Sequence, residues 1–250
     1  MKKLTSRSNQ VCVHLKKLGK SKKYREEKNQ FLCDGEKLLK EAIYAQADID
    51  IILTTKPIDY NLPDRTQIYR VSNEIINSIS PLINPQGVLF SCNMKKPAKT
   101  NYTEGIHIML DRIQDPGNVG TIIRCSDAFS IKSVILTGSS ADIYNPKTLR
   151  GSMGGIFRQE LSVLSTKEIF ELKKQNVTFI GASNNNDSMD IREVDLSDAI
   201  IILGNEGQGI SKELFDICDI KMKIPLLPEC ESINVAAAAA IIMWESLKRR

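Results

Sequence analysis

The sequence predicts an α/β protein whose C-terminal part forms a mainly parallel sheet with helices on both faces, preceded by a small α/β domain. From residue 106 onward, short apolar runs alternate with helical segments in regular succession, which is typical of strand-helix units in a parallel sheet. Several runs, such as residues 199–203 (AIIIL), continue without polar alternation, as in strands that are buried on both faces. These two observations together favour a layered α/β fold.

A change in composition divides the chain. Residues 93–104 (NMKKPAKTNYTE) lose apolar periodicity and contain Lys, Pro, Asn and Thr, which indicates a linker. We therefore predict one domain over residues 1–92 and a second over residues 105–250.

Each predicted element follows from its local pattern. In the first domain, apolar residues at helical spacing and runs of β-branched residues predict helices over 8–18, 35–47 and 72–80, and strands over 31–33, 50–54, 66–71 and 87–92. In the second, the same reasoning predicts strands over 106–110, 133–137, 159–164, 177–180, 199–203 and 220–224, and helices from about 118, around 146–153, from 167 and over the alanine-rich end.

Composition excludes several classes of protein. The chain of 250 residues is 42% apolar and 26% charged, as in an ordinary globular protein. Its longest apolar stretch, residues 235–244, is too short to cross a bilayer, and no secretory signal is recognisable. Six cysteines form no C-x-x-C pair, so neither a metal site nor a disulfide framework is indicated. We expect a cytoplasmic protein that needs neither a membrane nor a metal.

Positive charge is concentrated at the N-terminus. Residues 1–40 contain 12 Lys and Arg against 4 Asp and Glu, a net charge of +8, whereas the remaining 210 residues carry −4. Such a concentration is expected for a protein that binds a phosphate backbone, although lysine-rich solvated helices are also common.

Three late segments place small and polar residues directly after apolar runs: 178–183 (TFIGAS), 200–209 (IIILGNEGQG) and 224–235 (IPLLPECESINV). In open α/β sheets, ligands bind outside the carboxyl ends of the strands. The three loops therefore predict one composite pocket, in which glycines at 204, 207 and 209 let the backbone come close to a flat ligand.

A fourth segment, residues 111–130 (DRIQDPGNVGTIIRCSDAFS), follows another apolar run and opens a helix after Asp115-Pro116-Gly117. Asn118 lies at the start of this helix and Arg124 follows it by six residues, about 1.7 turns, so the two do not share a face simply. The segment therefore predicts the polar rim of a site that binds a phosphate or a ribose.

These motifs resemble those of the SpoU/TrmH branch of the knotted SPOUT RNA methyltransferases, which transfer a methyl group from S-adenosylmethionine to a ribose 2′-hydroxyl. The first family motif is similar to Asp115-Pro-Gly-Asn118-Val-Gly120 with Arg124, the second to residues 203–210, and the third to Ile224-Pro225 with residues 231–236. The N-terminal residues resemble the family's ribosomal-protein-like substrate-binding module through Phe31-Leu32-x-x-Gly35-Glu36 and the basic stretch before it.

The resemblance implies a deep trefoil knot, a homodimer with active sites near the subunit interface, and ribosomal RNA as the favoured substrate. It also implies roles for particular residues. The implied catalytic residues are Asn118, Arg124, Glu206, Ser232 and Asn234, with Glu206 orienting Arg124 or receiving charge from the reacting centre. The implied contacts to S-adenosylmethionine are Ala182, Leu203, Gly204, Gly209, Ile224, Pro225 and Ile233. The expected RNA contacts are Lys16, Lys17, Lys20, Lys22, Lys23, Arg25 and Arg150.

Alternatives remain open. Transfer RNA is a second substrate class. A non-catalytic RNA-binding or ribosome-assembly factor that kept the fold is less favoured, because Asn118, Arg124, Glu206 and Asn234 are all present. A nucleotide-binding enzyme of another kind is disfavoured because no G-x-G-x-x-G turn follows an early strand. For Arg124 we favour electrostatic activation, because a guanidinium stays protonated in ordinary environments, while direct general-base action stays possible.

Overall fold

The computed structural model describes residues 2–95, 100–185 and 187–248, which form two compact units. The first unit contains the described residues up to 95 together with Asp142–Phe157, and the second contains the other described residues. The predicted domains put residues 142–157 in the second domain, whereas the structure packs them in the first unit. Residues 96–99 of the predicted linker lie outside the described residues, and the predicted domain boundaries stay a prediction.

The first unit is built on a five-stranded sheet with the order β1-β4-β3-β5-β2. Strand β5 runs antiparallel to β2 and β3, and β3 is parallel to β4. The elements up to residue 95 are β1 (Lys2–Lys3), α1 (Gln10–Lys20), α2 (Lys22–Lys28), β2 (Gln30–Asp34), α3 (Glu36–Tyr44), β3 (Ile49–Thr54), β4 (Gln67–Arg70), α4 (Asn73–Ile79) and β5 (Val88–Asn93).

The second unit is built on a seven-stranded sheet in which all neighbouring strands are parallel, which confirms the predicted fold class. The elements after residue 100 are β6 (His107–Leu110), α5 (Pro116–Ala128), β7 (Ser133–Thr137), α6 (Pro146–Ser152), α7 (Gly155–Arg158), β8 (Glu160–Leu164), α8 (Thr166–Lys173), β9 (Thr178–Ala182), β10 (Met189–Asp190), a 3-10 helix (Ile191–Glu193), β11 (Ala199–Leu203), α9 (Lys212–Phe215), β12 (Ile220–Lys223) and α10 (Val235–Lys248). Of these, α6 and the first three residues of α7 belong to the first unit. The strand order is β10-β12-β9-β11-β6-β7-β8. The predicted knot stays a prediction.

The strands that were predicted from uninterrupted apolar runs are buried, as expected. All five residues of β11 are buried, and so are all four of β6. The basic stretch after α1, for which no helix was predicted, forms the separate helix α2, because the Ser21 side chain accepts a hydrogen bond from the Tyr24 amide and caps it. Among the described residues, no helix is both long and apolar enough to span a bilayer.

Residues 142–157 contribute aromatic side chains to the core of the first unit. The ring of Tyr144 stacks on Phe31 with 4.6 Å between centroids, and the ring of Phe157 lies 6.2 Å from Phe31 and 6.5 Å from Phe90. Burial raises the pKa of Tyr144 to about 12. The segment that follows β7 in sequence is therefore part of the first unit's hydrophobic core.

We predict that Phe157→Ala destabilises the protein by about 3–5 kcal/mol, the usual cost of removing a buried aromatic ring. Phe157 is 3% exposed and contacts two other aromatic rings, so little of the cavity can be refilled. Urea unfolding measures the change. Phe170→Ala is the control, since that ring on α8 is 36% exposed and should cost much less. Equal losses for the two variants would mean that residues 142–157 are not a core element.

Candidate active site

Four neighbouring strands end at one edge of the seven-stranded sheet. Strand β11 lies between β9 and β6, and β12 pairs with the other side of β9. In this register Leu203 is opposite Leu110, Ile202 is opposite Gly181, and Met222 is opposite Ala182. Because the strands are parallel, the loops that follow them lie side by side.

The loops after β9, β11 and β12 enclose a cleft of about 630 Å³. That volume is in the range of small-molecule sites, roughly 300–1,000 Å³. Apolar side chains, including Met222, Phe215 and Leu226, line the cleft together with polar groups. Of the residues predicted to bind a cofactor, those that line it are Ala182, Leu203, Gly204, Gly209, Ile224 and Ile233. Pro225 lies between two lining residues and is not one of them.

The loop after β11 is a tight, hydrogen-bonded turn. The Asn205 side-chain oxygen accepts hydrogen bonds from the amides of Gly207 at 3.0 Å and Gln208 at 3.1 Å. The backbones of Asn205 and Gly209 exchange two hydrogen bonds of 2.9 Å. A Cβ atom on Gly204 would lie 2.1 Å from the carbonyl carbon of Gly209. Glycine at 204 is thus required by close approach within the loop itself, not by approach to a ligand as the sequence suggested.

A chain of side-chain amides joins the three motifs. Asn118 Nδ2 donates to Glu206 Oε1 at 2.8 Å, and Asn234 Nδ2 donates to Asn118 Oδ1 at 3.1 Å. A carboxylate only accepts hydrogen bonds, so the NH₂ group of Asn118 must face Glu206 and its oxygen must face Asn234. These residues are 88 and 116 positions apart in sequence. The structure therefore brings together three of the five predicted catalytic residues.

Asn234 also begins helix α10. Its Oδ1 accepts hydrogen bonds from the amides of Ala236 at 2.9 Å and Ala237 at 3.3 Å, as a helix N-cap does. Ser232, two residues earlier, does not cap this helix. It lines the cleft, and within the part of the chain that the structure describes its hydroxyl makes no hydrogen bond. Ser232 is consequently available to a ligand.

Arg124 stands apart from this network. It is exposed on α5, and among the described residues it makes no hydrogen bond and no ion pair. The expectation that Glu206 orients Arg124 is not met, because Glu206 accepts from Asn118 instead. Burial raises the pKa of the neighbouring Cys125 thiol above its ordinary value, an effect that the charge of Arg124 only partly offsets. Cys125 is therefore a poor nucleophile, and Arg124 is the charged group of α5 that is free to meet a substrate.

Neither histidine is placed to act as a base in the cleft. His107 begins β6, at the opposite end of the strand from the loops, and its Nδ1 lies 2.7 Å from the Ser133 hydroxyl. Burial lowers the pKa of His107. His14 belongs to the first unit, where it contacts Tyr24 and Gln30. Both histidines have local hydrogen-bond partners that account for them.

The predicted RNA-binding residues differ in exposure. Those exposed on the first unit are Lys16, Lys17, Lys20, Lys22, Lys23 and Arg150. Arg25, by contrast, is 4% exposed, donates to the Leu18 carbonyl at 2.7 Å and forms an ion pair with Asp142. Because the guanidinium is occupied inside the unit, we correct the expectation for Arg25 and assign it a structural role.

Sequence analysis missed two polar residues around the cleft, Arg112 and Asn184. Arg112 contacts Gln208 and Gly209 of the loop after β11, and Asn184 Nδ2 donates to the Glu231 carbonyl at 2.8 Å. Arg112 follows the buried strand β6 almost directly, which is the signal that identified the other loops. The Asp115-Pro116-Gly117 turn that follows is a stronger sequence signal, and it does not point to Arg112.

The fold and this cleft together define the class of the protein: an α/β enzyme with a ligand site at the carboxyl edge of a parallel sheet. Residues 105–244 match the model of the SpoU rRNA methylase family, and residues 9–89 match that of the MRM3-like substrate binding domain. The chain belongs to the SpoU rRNA methylase family. The resemblance stated from its motifs is thereby confirmed.

Individual relatives agree with this assignment. The chain is 33% identical over 98% of its length to the 23S rRNA (guanosine(2553)-2′-O)-methyltransferase RlmP of Bacillus subtilis, and covers 98% of that protein. It is 30% identical over 57% of its length to the 23S rRNA (uridine(2479)-2′-O)-methyltransferase of Streptomyces viridochromogenes, of which it covers 52%. The crystal structure of an AdoMet-bound rRNA methyltransferase from Sinorhizobium meliloti superposes with a TM-score of 0.88 at 25% identity, covering 99% of this chain and 98% of the other.

We predict that Gly204→Ala costs about 1–3 kcal/mol of unfolding free energy, as overpacking typically does. The added methyl would meet the backbone of Gly209 and the Ile210 nitrogen at 2.1 and 2.2 Å, which no side-chain movement can relieve. Gly207→Ala is the matched control, because the nearest atom to its Cβ, the Asn205 Oδ1, would lie at 3.8 Å. Thermal unfolding of both variants decides the point. Equal midpoints would show that the loop tolerates a side chain at 204.

Proposed function

We propose that this protein methylates a ribose 2′-hydroxyl of 23S-type ribosomal RNA with S-adenosylmethionine as the methyl donor. The observation that carries the proposal is the Glu206-Asn118-Asn234 chain at the lip of a glycine-rich cleft. The family assignment supports the reaction class, and the named relatives that act on 23S rRNA support the substrate. Because those relatives modify different nucleotides, the position is left open. The cytoplasmic location expected from the sequence stays part of this proposal.

The cleft suits the proposed cofactor. Its wall combines apolar side chains, which can cover an adenine ring, with backbone amides and carbonyls near three glycines. Gly209 has open space where a side chain would be, and the nearest atom to a Cβ on Gly207 would lie at 3.8 Å, so a ligand can approach the backbone there. The residues that would hold the cofactor are Ala182, Leu203, Gly204, Gly209, Ile224 and Ile233, with Pro225 fixing the turn after Ile224. When bound, S-adenosylmethionine supplies a sulfonium-activated methyl group.

The protein's own task is to align the ribose and assist loss of its hydroxyl proton. Asn118 is held from both sides by Glu206 and Asn234, so its position is fixed before substrate arrives. Fixed polar groups of this kind lower the cost of orienting a reactant. We assign Asn118 and Asn234 to positioning the ribose or its phosphate, with Glu206 holding the pair and Ser232 donating to the substrate.

We assign Arg124 to stabilising the negative charge that develops on the ribose oxygen during the reaction. A guanidinium keeps its proton in proteins, so Arg124 acts best by binding the adjacent phosphate and stabilising the forming alkoxide. Because Arg124 is exposed and has no partner among the described residues, its planar donor fork is available to bind the phosphate. The proton then passes to the phosphate or to water.

A homodimer belongs to the proposal because α10 has an exposed apolar stripe. Ile241, Trp244 and Leu247 are 41%, 51% and 36% exposed, at spacings that place them along one side of the helix. The Trp244 ring contacts Phe129 directly after α5, the helix that contains Arg124, at 6.1 Å between centroids. A two-fold contact through this stripe would bury it and bring Arg124 close to the interface.

The test is methyl transfer from labelled S-adenosylmethionine to purified RNA. We expect 23S rRNA from a strain that lacks the gene to accept label at one ribose, with much less transfer to tRNA.

Arg124→Ala should fold normally, since exposed substitutions rarely change stability by more than about 0.5 kcal/mol, yet lose activity about 100-fold or more. Arg124→Lys should recover little, because a point charge does not replace the fork.

Thr121→Ala, on the same exposed face of α5, is the control and should stay active. Label in tRNA alone would overturn the substrate proposal. Full activity of Arg124→Ala would remove Arg124 from the mechanism.

We predict that replacing Lys16, Lys17 and Lys20 with Gln weakens RNA binding and lowers its salt dependence. If each lysine neutralises one phosphate, the slope of log affinity against log salt falls by about 2–3. Cofactor affinity should not change. The control replaces three exposed lysines elsewhere, namely Lys37, Lys56 and Lys167. Equal slopes for the two triple variants would mean that α1 carries only a solvated face.

A further inference from the structure

Arg112 has an unusual backbone conformation beside the cleft. Its φ is 58°, in the left-handed region that glycine occupies without strain but other residues seldom adopt. Its amide donates to the Thr137 hydroxyl at 3.0 Å and its carbonyl accepts from Asn205 Nδ2 at 2.9 Å. A turn that needed only this conformation would be met best by glycine. The side chain must therefore contribute something that glycine does not.

The guanidinium of Arg112 binds the far side of the loop after β11. Its Nη1 donates to Gln208 Oε1 at 3.0 Å and its Nη2 donates to the Gly209 carbonyl at 3.2 Å. With the Asn205 contact, Arg112 thus holds the beginning and the end of the five-residue turn 205–209. Gln208 and Gly209 both line the cleft.

The preceding residue, Asp111, binds the end of β11 before that turn and the N-cap residue of α9 after it. Asp111 is 2% exposed, and its Oδ2 accepts from the Ser211 amide at 2.6 Å and from Arg112 Nε at 3.4 Å. The Asp111 amide donates to the Leu203 carbonyl at 2.8 Å. The pair Asp111-Arg112 therefore fixes the loop from residue 203 to residue 211.

We propose that Arg112 is a positioning residue that holds the loop 204–210 in the geometry required both for cofactor binding and for the Glu206-Asn118 hydrogen bond. Glu206 lies between the anchored residues Asn205 and Gln208, so loop displacement moves its carboxylate away from Asn118. The inference rests on the proposed function for its kinetic consequences, while the ordering of the loop is a property of the protein alone.

The experiment compares Arg112→Gly, Arg112→Lys and Gln208→Ala in the full chain. Arg112→Gly keeps a favourable backbone but removes the fork together with the ion pair to the buried Asp111, so its unfolding midpoint should fall. Its affinity for S-adenosylhomocysteine should fall about tenfold or more, as expected for loss of two hydrogen bonds to a charged donor. Its kcat should fall and its KM for S-adenosylmethionine should rise. Arg112→Lys should recover part of the affinity, and Gln208→Ala should lose less than Arg112→Gly.

The double variant separates a positioning role from a general structural one. If Gln208 acts through Arg112, adding Gln208→Ala to Arg112→Gly should weaken affinity by less than about twofold further. The matched control is Arg158→Ala. Arg158 has the same side-chain exposure, 31% against 30%, and pairs with Asp127. Its loss should lower the unfolding midpoint and leave cofactor affinity and KM unchanged.

Hydrogen exchange of the amides of residues 207–210 provides a measurement that needs no ligand. Exchange at these amides should be faster in Arg112→Gly than in the parent and unchanged in Arg158→Ala. If the parent binds no S-adenosylhomocysteine, the proposed function fails while exchange still tests the loop. If the parent binds it and Arg112→Gly shows parental affinity, kinetics and exchange, the positioning role is wrong.

Discussion

The parallel pairing of β11 between β6 and β9 is the constraint on which the candidate active site depends. All five β11 residues are buried, and pairing with two parallel neighbours satisfies their backbone groups without water. A parallel register aligns the ends of the strands, so residues that follow β6, β9, β11 and β12 meet at one edge although up to 116 positions separate them. The cleft is a consequence of this register, and the loops supply only its polar groups.

The polar residues at that edge fall into two groups with different physical roles. Asn118, Glu206 and Asn234 hydrogen-bond to one another, and Asn234 also accepts from the α10 amides, which orders all three side chains. Arg124 and Ser232 have no described side-chain partner. A catalytic site needs both kinds of residue, because groups that are already ordered align a substrate, while free donors gain their first strong partner when it binds. The division between the groups also explains why removing Arg124 should spare the fold.

Local sequence patterns were sufficient to predict the buried strands and the convergence of the loops. Apolar runs such as residues 199–203 admit few other structures, and the carboxyl-end rule then places the loops. The partners of individual side chains could not be predicted, because they depend on distant segments. Glu206 was expected to orient Arg124 or to receive charge from the reacting centre, and its observed partner is Asn118. The role of Arg112 could not be predicted, since its contacts to Gln208 and Gly209 exist only after β6 and β11 have paired.

Arg25 shows that the sequence was equally insufficient to predict which charged side chains are exposed. Counting residues places it in a basic cluster with Lys22 and Lys23, but helix periodicity turns it inward, where the Leu18 carbonyl and the Asp142 carboxylate accept from its two terminal nitrogens. Asp142 comes from a segment more than 100 positions away that the sequence assigned to the other domain, and that packs in the first unit through Tyr144 and Phe157. A buried charge without its partner is strongly destabilising. The helix that carries the basic surface thus depends on an ion pair that only the folded chain can form. Truncation at the predicted linker would break the Arg25–Asp142 ion pair and would also delete the lysines that are expected to bind RNA. Substitutions in the full chain therefore separate RNA binding from folding, whereas truncation does not.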